Sequence, residues 1–304
     1  MKTLLEVLQS GTDYLARQGC EEARATMQHL MAHVLHCNRT ALYSQFDRPV
    51  EETELAPLRE LLKRRAAGEP LQHLLGSTEF FRRDFLTDAR ALIPRPETEE
   101  LVEMVLKKIP ARPVRVLDMG TGSGIIGITL ALELKERAKE VVLADISPQA
   151  LDLALENAMR LGARVSTIQT DLFENIPLEK AAPFPAETDS SGAAPGEEEN
   201  NPGQEMRFDV IVANLPYIAD GEELAPEVMK DPHTALFGGP EGWEIIERFL
   251  ARARDYLNDN GFVALEIGYD QAPAVTQIMD GYGYNYIEVL KDMSGIARFP
   301  FGYR

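Results

Sequence analysis

The segment V-L-D-M-G-T-G-S-G, residues 116–124, decides the fold of this chain, and it continues directly into the apolar run I-I-G-I-T-L. The first half is typical of a buried strand and the apolar run is typical of a helix, so the glycines form the turn between them. Glycine lets a backbone turn sharply and lets a ligand reach main-chain amides that no Cβ covers. The segment therefore predicts a ligand-binding turn in an α/β fold.

A second signal lies at the end of the next apolar run, V-V-L-A-D, where Asp145 follows Gly124 by 21 residues. A carboxylate at this position can accept hydrogen bonds from both hydroxyls of a ribose. The turn lacks the lysine of a triphosphate site, and G-T-G-S-G departs from the dinucleotide spacing G-x-G-x-x-G, although Gly127 keeps that alternative open. We therefore predict an adenosine-type cofactor.

Apolar strand-like runs alternate with helical stretches through the rest of the chain, at 114–120, 141–146, 164–173, 208–217 and 261–268. Strand and helix in alternation indicate βαβ units and a mainly parallel sheet. The C-terminal residues 284–303 are expected to add an antiparallel pair at one edge.

The chain divides by pattern into three parts. Residues 1–75 have apolar positions at helical spacing and predict a small helical bundle, and residues 76–93 predict a β-hairpin linker. Residues 94–304 predict the α/β domain. Within that domain 181–206 is acidic and almost without large apolar side chains, so we expect a mobile insertion.

Composition limits the function further. The 304 residues are 44% hydrophobic and carry a net charge of −18, which disfavours binding to nucleic acid phosphates. The two cysteines, Cys20 and Cys37, suggest neither a zinc site nor a disulfide framework, so a reducing cytoplasm is expected. We expect no signal or transit peptide and no membrane span, because the start is not typical of a targeting segment and no apolar run is long enough.

The most specific short motif for chemistry is N-L-P-Y, residues 214–217, directly after the apolar run F-D-V-I-V-A. The nitrogen of a planar amide or aromatic amine is a poor nucleophile because its lone pair is delocalised. The Asn214 side-chain oxygen and the Leu215 carbonyl can accept both N–H bonds of such a group and stabilise the charge that develops on it. Pro216 restricts Leu215 to an extended backbone, and Tyr217 can stack on the flat group. The motif suits methyl transfer from a sulfonium to a planar NH2.

With these motifs the chain resembles the HemK/PrmC family of protein-(glutamine-N5) methyltransferases, class I S-adenosylmethionine enzymes that modify peptide-chain release factors. The resemblance covers nearly the whole chain, and L-I-P-R-P-E-T-E is its most specific element. Its segments are R-R-A-A-G-E-P-L-Q-H-L-L-G (64–76), E-F-F (79–81), L-I-P-R-P-E-T-E (92–99), the glycine turn, Asp145, D-L-F (171–173), N-L-P-Y, A-L-F-G-G-P-E-G-W (235–243) and L-E-I-G-Y-D-Q (265–271).

The resemblance implies a Rossmann-like methyltransferase domain behind a helical domain that recognises the release factor. S-adenosylmethionine would be the cofactor and the glutamine of a Gly-Gly-Gln loop the substrate. The implied cofactor-binding residues are Gly120, Thr121, Gly122, Ser123 and Gly124 at the methionine part, Asp145 at the ribose and Leu172 by the adenine, together with Asp171 and Asn214. The implied catalytic residues, which grip the glutamine amide, are Asn214, Leu215, Pro216 and Tyr217.

Two alternatives remain at the level of sequence. Leu215 stands where the family usually has a proline, and N-L-P-Y also resembles the motif of adenine-N6 methyltransferases that act on RNA or DNA. A non-catalytic protein that binds release factors or senses the cofactor could use the same fold. The acidic charge and L-I-P-R-P-E-T-E favour a protein substrate. In that segment Glu97, Thr98 and Glu99 fit either a helix cap or a ligand contact.

Overall fold

The computed structural model of the protein describes residues 2–177 and 206–304. The chain forms two compact units. One contains the residues up to Ile93 together with Glu223–His233, and the other contains Pro94–Glu222 and Thr234–Arg304.

The first unit is built from five helices and a two-stranded antiparallel hairpin. They are α1 (Leu4–Arg17), α2 (Ala23–Val34), α3 (Arg39–Tyr43), α4 (Glu52–Ala66), α5 (Leu71–Leu75), β1 (Ser77–Phe80) and β2 (Arg83–Leu86). Thr3 begins α1 with a capping box to Glu6, which satisfies two backbone N–H groups that the helix leaves free. The apolar faces of the helices meet in a core that includes Leu4, Leu15, Met27 and Leu30.

Residues 223–233 pack with this helical unit, whereas the sequence pattern placed them in the α/β domain. Arg65 on α4 is 8% exposed and forms an ion pair with Glu227. It also donates a hydrogen bond to the Glu69 carbonyl at 3.0 Å. A buried guanidinium needs such partners, but nothing in the local sequence around Glu227 reveals a partner so far away in the chain.

The second unit holds the remaining elements. They are α6 (Pro96–Lys108), β3 (Val114–Met119), α7 (Ile125–Leu134), β4 (Ala138–Asp145), α8 (Pro148–Leu161), β5 (Ser166–Gln169), β6 (Phe208–Ala213), β7 (Ile218–Ala219), β8 (Phe237–Gly239), α9 (Glu244–Ala253), β9 (Leu257–Leu265), α10 (Ala272–Gly281), β10 (Tyr286–Lys291) and β11 (Ala297–Tyr303).

Seven strands form one sheet in the order β10-β11-β9-β6-β3-β4-β5. The five strands from β9 to β5 are parallel, and β10 and β11 are antiparallel to each other and to β9. The predicted fold class, a mainly parallel α/β sheet with a helical N-terminal region, is confirmed. The strand order changes direction between β3 and β6, which is where open α/β sheets bind ligands.

The predicted mobile insertion, 181–206, lies outside the described residues except for Met206, which packs against the core of the second unit. Within the two described ranges no helix is both long and apolar enough to span a membrane.

Candidate active site

The glycine turn after β3 is held in place by hydrogen bonds on both sides. The amides of Gly120 and Thr121 donate to the Ala144 carbonyl at 2.8 and 3.0 Å. The buried carboxylate of Asp118 accepts from the Thr121 hydroxyl at 2.6 Å and from the Gly127 amide at 2.8 Å. Asp118 is thus a positioning residue that the sequence analysis did not single out, although it lies within the quoted turn segment.

Only part of the turn is accessible to a ligand. Gly120 and Gly122 are partly exposed and have φ of +69° and +54°, so the accessible backbone carries no side chain. Thr121 and Ser123 are buried, and the Ser123 carbonyl accepts a hydrogen bond from the Asn157 amide at 2.9 Å. The side chains of Thr121 and Ser123 therefore lie inside the fold, and the surface offered to a cofactor is mainly glycine backbone.

Asp145 lies beside this turn at the end of β4. One carboxylate oxygen accepts from the Gly122 amide and the other from the Ser147 amide, both at 2.9 Å. Burial raises the pKa of Asp145, while these backbone hydrogen bonds act in the opposite direction. The carboxylate is partly exposed, and each oxygen keeps a lone pair for a ligand hydroxyl.

The D-L-F segment follows β5 and lies next to Asp145. The Thr170 amide donates to the Asp145 carbonyl at 2.9 Å. Leu172 has φ of +49° and is half-buried, with its carbonyl held by the Thr170 hydroxyl at 2.9 Å. Asp171 forms an ion pair with Arg248 at 3.0 Å. The predicted cofactor residues after β3, β4 and β5 thus occupy adjacent positions along one sheet edge.

These residues fit S-adenosylmethionine. That molecule carries positive charge on its sulfonium and ammonium groups, and the turn is flanked by the carboxylates of Asp118 and Asp145. Desolvation raises the pKa of Asp118 to about 6, so the group is largely ionised at pH 7. One Asp118 oxygen is buried and has no hydrogen-bond partner among the described residues. Its charge is therefore incompletely compensated beneath the turn, which favours a cationic ligand.

N-L-P-Y begins directly after β6, which lies beside β3 with Ala213 opposite Met119. Asn214 consequently lies next to the glycine turn. The Leu215 side chain is buried, and a Cβ added at Gly120 would lie 2.9 Å from its Cδ2 atom. The Leu215 side chain fills the space beside Gly120, and its backbone carbonyl is retained.

A glycine-rich segment and a glutamine hold the second half of N-L-P-Y. The Tyr217 carbonyl accepts a hydrogen bond from the Gln271 side-chain amide at 2.8 Å. A Cβ at Gly238 would lie 2.5 Å from the Pro216 carbonyl oxygen, and one at Gly242 would lie 2.5 Å from that of Tyr217. The segments A-L-F-G-G-P-E-G-W and L-E-I-G-Y-D-Q thus hold the backbone of N-L-P-Y in place.

Asn214 also contacts a buried pair of polar side chains. Its side-chain amide donates to the Thr98 hydroxyl at 3.3 Å, and that hydroxyl donates to the Glu266 carboxylate at 2.8 Å. Burial raises the pKa of Glu266 to about 7. Thr98 does not cap α6, since the N-cap position is Arg95. A direct ligand contact is also excluded for Thr98, because the residue is 1% exposed.

Tyr217 is the remaining predicted catalytic side chain. Desolvation raises its pKa to about 12, and the nearby Glu266 carboxylate acts in the same direction. The phenol therefore stays neutral at physiological pH, which suits a ring that stacks on a flat substrate group.

The chain is similar to known proteins along nearly its whole length. Residues 6–76 match the family model of the PrmC N-terminal domain, and residues 112–236 match that of a methyltransferase domain. A release factor glutamine methyltransferase of Geobacter sulfurreducens is 38% identical over 303 residues, which cover 99% of this chain and 96% of the relative. Those of Koribacter versatilis and Bacillus subtilis are 36% and 34% identical and cover 98% and 96% of the relatives, respectively. The chain belongs to the release factor glutamine methyltransferase family.

Proposed function

We propose that the protein transfers the methyl group of S-adenosylmethionine to the side-chain amide nitrogen of the glutamine in the Gly-Gly-Gln loop of a peptide-chain release factor. The observation that carries the proposal is the position of Asn214 and Leu215 at the end of β6, beside the glycine turn at the end of β3. Two groups that can accept hydrogen bonds from a substrate amide therefore lie next to the backbone proposed to hold a sulfonium donor.

When bound, S-adenosylmethionine would supply an electrophilic methyl group on a positively charged sulfur; the bond between sulfur and methyl would break, and the sulfur would leave as a neutral thioether. The Asn214 side-chain oxygen and the Leu215 carbonyl accept the two N–H bonds of the glutamine amide and orient its nitrogen. Pro216 keeps the Leu215 carbonyl in an extended backbone, and Tyr217 covers the amide plane. These acceptors stabilise the positive charge that develops on nitrogen during transfer. The methylated amide then releases its extra proton to water.

A transfer assay with methyl-labelled S-adenosylmethionine tests this function. We expect label on an intact release factor, located by mass spectrometry at the Gly-Gly-Gln glutamine, and none on RNA or DNA. Label on adenine would support the adenine-N6 alternative, which the net charge of −18 disfavours. Binding of release factor without any transfer would identify a non-catalytic protein.

The first unit is the proposed recognition domain for the release factor body, because a short glutamine loop offers too little surface for selectivity. The chain passes from N-L-P-Y into Glu223–His233 of this unit and then returns to the A-L-F-G-G segment. A protein substrate and two free cysteines also favour a cytoplasmic location.

Hydrogen exchange on the full chain tests the recognition role. On adding release factor we expect slower exchange in the helices of the first unit and in 223–233, because a bound surface excludes solvent. A small Gly-Gly-Gln peptide serves as the control and should protect only the second unit. If intact release factor gave no protection outside the second unit, the recognition role would be wrong.

Replacing Asp145 by alanine should weaken S-adenosylmethionine binding by about 1.5–3 kcal/mol, because the change removes two charge-assisted hydrogen bonds to the ribose. Calorimetry measures the loss. The exposed Asp152 on α8 offers a control of the same charge change, and Asp152→Ala should keep the wild-type affinity. An unchanged affinity in folded Asp145→Ala would contradict the ribose assignment.

A further inference from the structure

Two residues that come from distant parts of the chain, Thr98 and Glu266, meet beside Asn214 in the interior of the second unit. Thr98 on α6 is 1% exposed, and Glu266, directly after β9, is 2% exposed. A buried carboxylate is unfavourable unless it is hydrogen-bonded, and the Glu266 carboxylate accepts a hydrogen bond from the Thr98 hydroxyl at 2.8 Å. The free-energy cost of burying Glu266 suggests that the carboxylate has a role at this site.

The hydrogen-bond directions supply that reason. An ionised carboxylate only accepts, so the single hydroxyl proton of Thr98 is donated to Glu266. Toward Asn214 the hydroxyl then offers a lone pair, and only the NH2 end of the asparagine amide can satisfy it. The two ends of an asparagine amide have nearly the same shape, and packing alone distinguishes them poorly. Here the buried acceptors decide which end faces inward.

We propose that Glu266, acting through Thr98, fixes the orientation of the Asn214 carboxamide so that its oxygen faces the substrate NH2. Glu266 and Thr98 are thus positioning residues for methyl transfer. The inference rests on the proposed function, since it assumes that Asn214 accepts a hydrogen bond from a glutamine amide.

Protonation of Glu266 should reverse the orientation of the Asn214 carboxamide. A neutral carboxyl group donates to Thr98, whose own proton then turns toward Asn214 and selects the amide oxygen. Methyl transfer should therefore decline as pH falls through about 7, the value to which burial raises the pKa of Glu266. The other ionisable groups that act on Glu266 are Glu97 on α6, Arg298 on β11 and Tyr217 after β6. Arg298 is held by Asp292 at 2.8 Å.

Substitution of Thr98 separates the hydroxyl from the packing. Thr98→Val keeps the side-chain shape and removes the relay, so kcat should fall by about 10- to 100-fold at pH 8, as expected for a misoriented reacting group. Thr98→Ser keeps the hydroxyl and should stay within about threefold of wild type. Affinity for S-adenosylmethionine, measured by calorimetry, should be unchanged in both variants and serves as the check on folding.

Glu266→Gln provides a second readout through the pH profile of kcat. The variant has no proton to lose at this position, so the decline seen in wild type below about pH 7 should disappear. Equal kcat in Thr98→Val and wild type would overturn the inference, as would equal losses in the valine and serine variants or a wild-type pH profile in Glu266→Gln. A wild-type protein that methylates no glutamine would overturn the proposed function and this inference together, whereas these variant results overturn the inference alone.

Discussion

Asn214→Ala should lower kcat for glutamine methylation by about 100- to 1,000-fold, the effect of removing one preorganised hydrogen-bond partner from a reacting group. The change deletes one of the two proposed acceptors for the substrate NH2 and leaves only the Leu215 carbonyl. The nitrogen would then be free to rotate away from the methyl group. Steady-state kinetics with intact release factor measures the loss. KM for the release factor should change far less, because we propose that most of its binding surface lies in the first unit.

Two further variants complete the test: Asn214→Asp at the same position and Asn285→Ala as the control. Asn214→Asp restores oxygen acceptors but places a carboxylate against Glu266, so like-charge repulsion should keep kcat low. Asn285, exposed just before β10, provides a matched asparagine away from the site, and Asn285→Ala should leave kcat unchanged. Wild-type kcat in Asn214→Ala would contradict the proposed role of the side chain and leave the Leu215 carbonyl as the only candidate acceptor.

The sheet and one edge of the site could be predicted because their signals are local in sequence. The glycine turn, Asp145 and N-L-P-Y each follow an apolar run, and parallel strands bring their carboxyl ends to the same edge. Register then places Asn214 beside Gly120. The antiparallel C-terminal pair was predictable for the same reason, since its two strands are near neighbours in the chain.

The buried residues next to Asn214, Thr98 and Glu266, could not be predicted from local sequence patterns. Thr98 and Glu266 are separated by 168 residues, and each by itself resembles an ordinary helix-start or strand-end residue. The periodicity of the sequence does not indicate that Glu266 is buried, that burial raises its pKa, or that it lies close to Asn214. The inward-facing side chains of Thr121 and Ser123 show the same limit, because a motif names the residues of a turn without saying which atoms reach the ligand.

Gly238→Ala should have the second large effect. We expect kcat to fall by about 100-fold, because the substitution displaces the Leu215 carbonyl although Gly238 itself is not a proposed catalytic residue. A Cβ at this position would lie 2.2 Å from the Gly242 carbonyl oxygen and 2.5 Å from that of Pro216. Both atoms belong to backbone and cannot rotate away, so one segment must move by roughly 1 Å to reach normal contact distance. The movement is transmitted to the Leu215 carbonyl through Pro216. The free energy of unfolding should fall by about 1–3 kcal/mol, as for other overpacked sites.

Gly281→Ala is the matched control for this substitution. Gly281 ends α10, and a Cβ there would meet no atom within 4 Å. The alanine should therefore leave kcat unchanged and stabilise the helix slightly. Denaturant unfolding and methyl-transfer kinetics on both variants separate stability from activity. A protein of ordinary stability stays folded after a loss of this size. A large drop in kcat must therefore come from the displaced N-L-P-Y backbone. Unchanged kcat in folded Gly238→Ala would mean that the A-L-F-G-G segment does not fix the position of the amide acceptors.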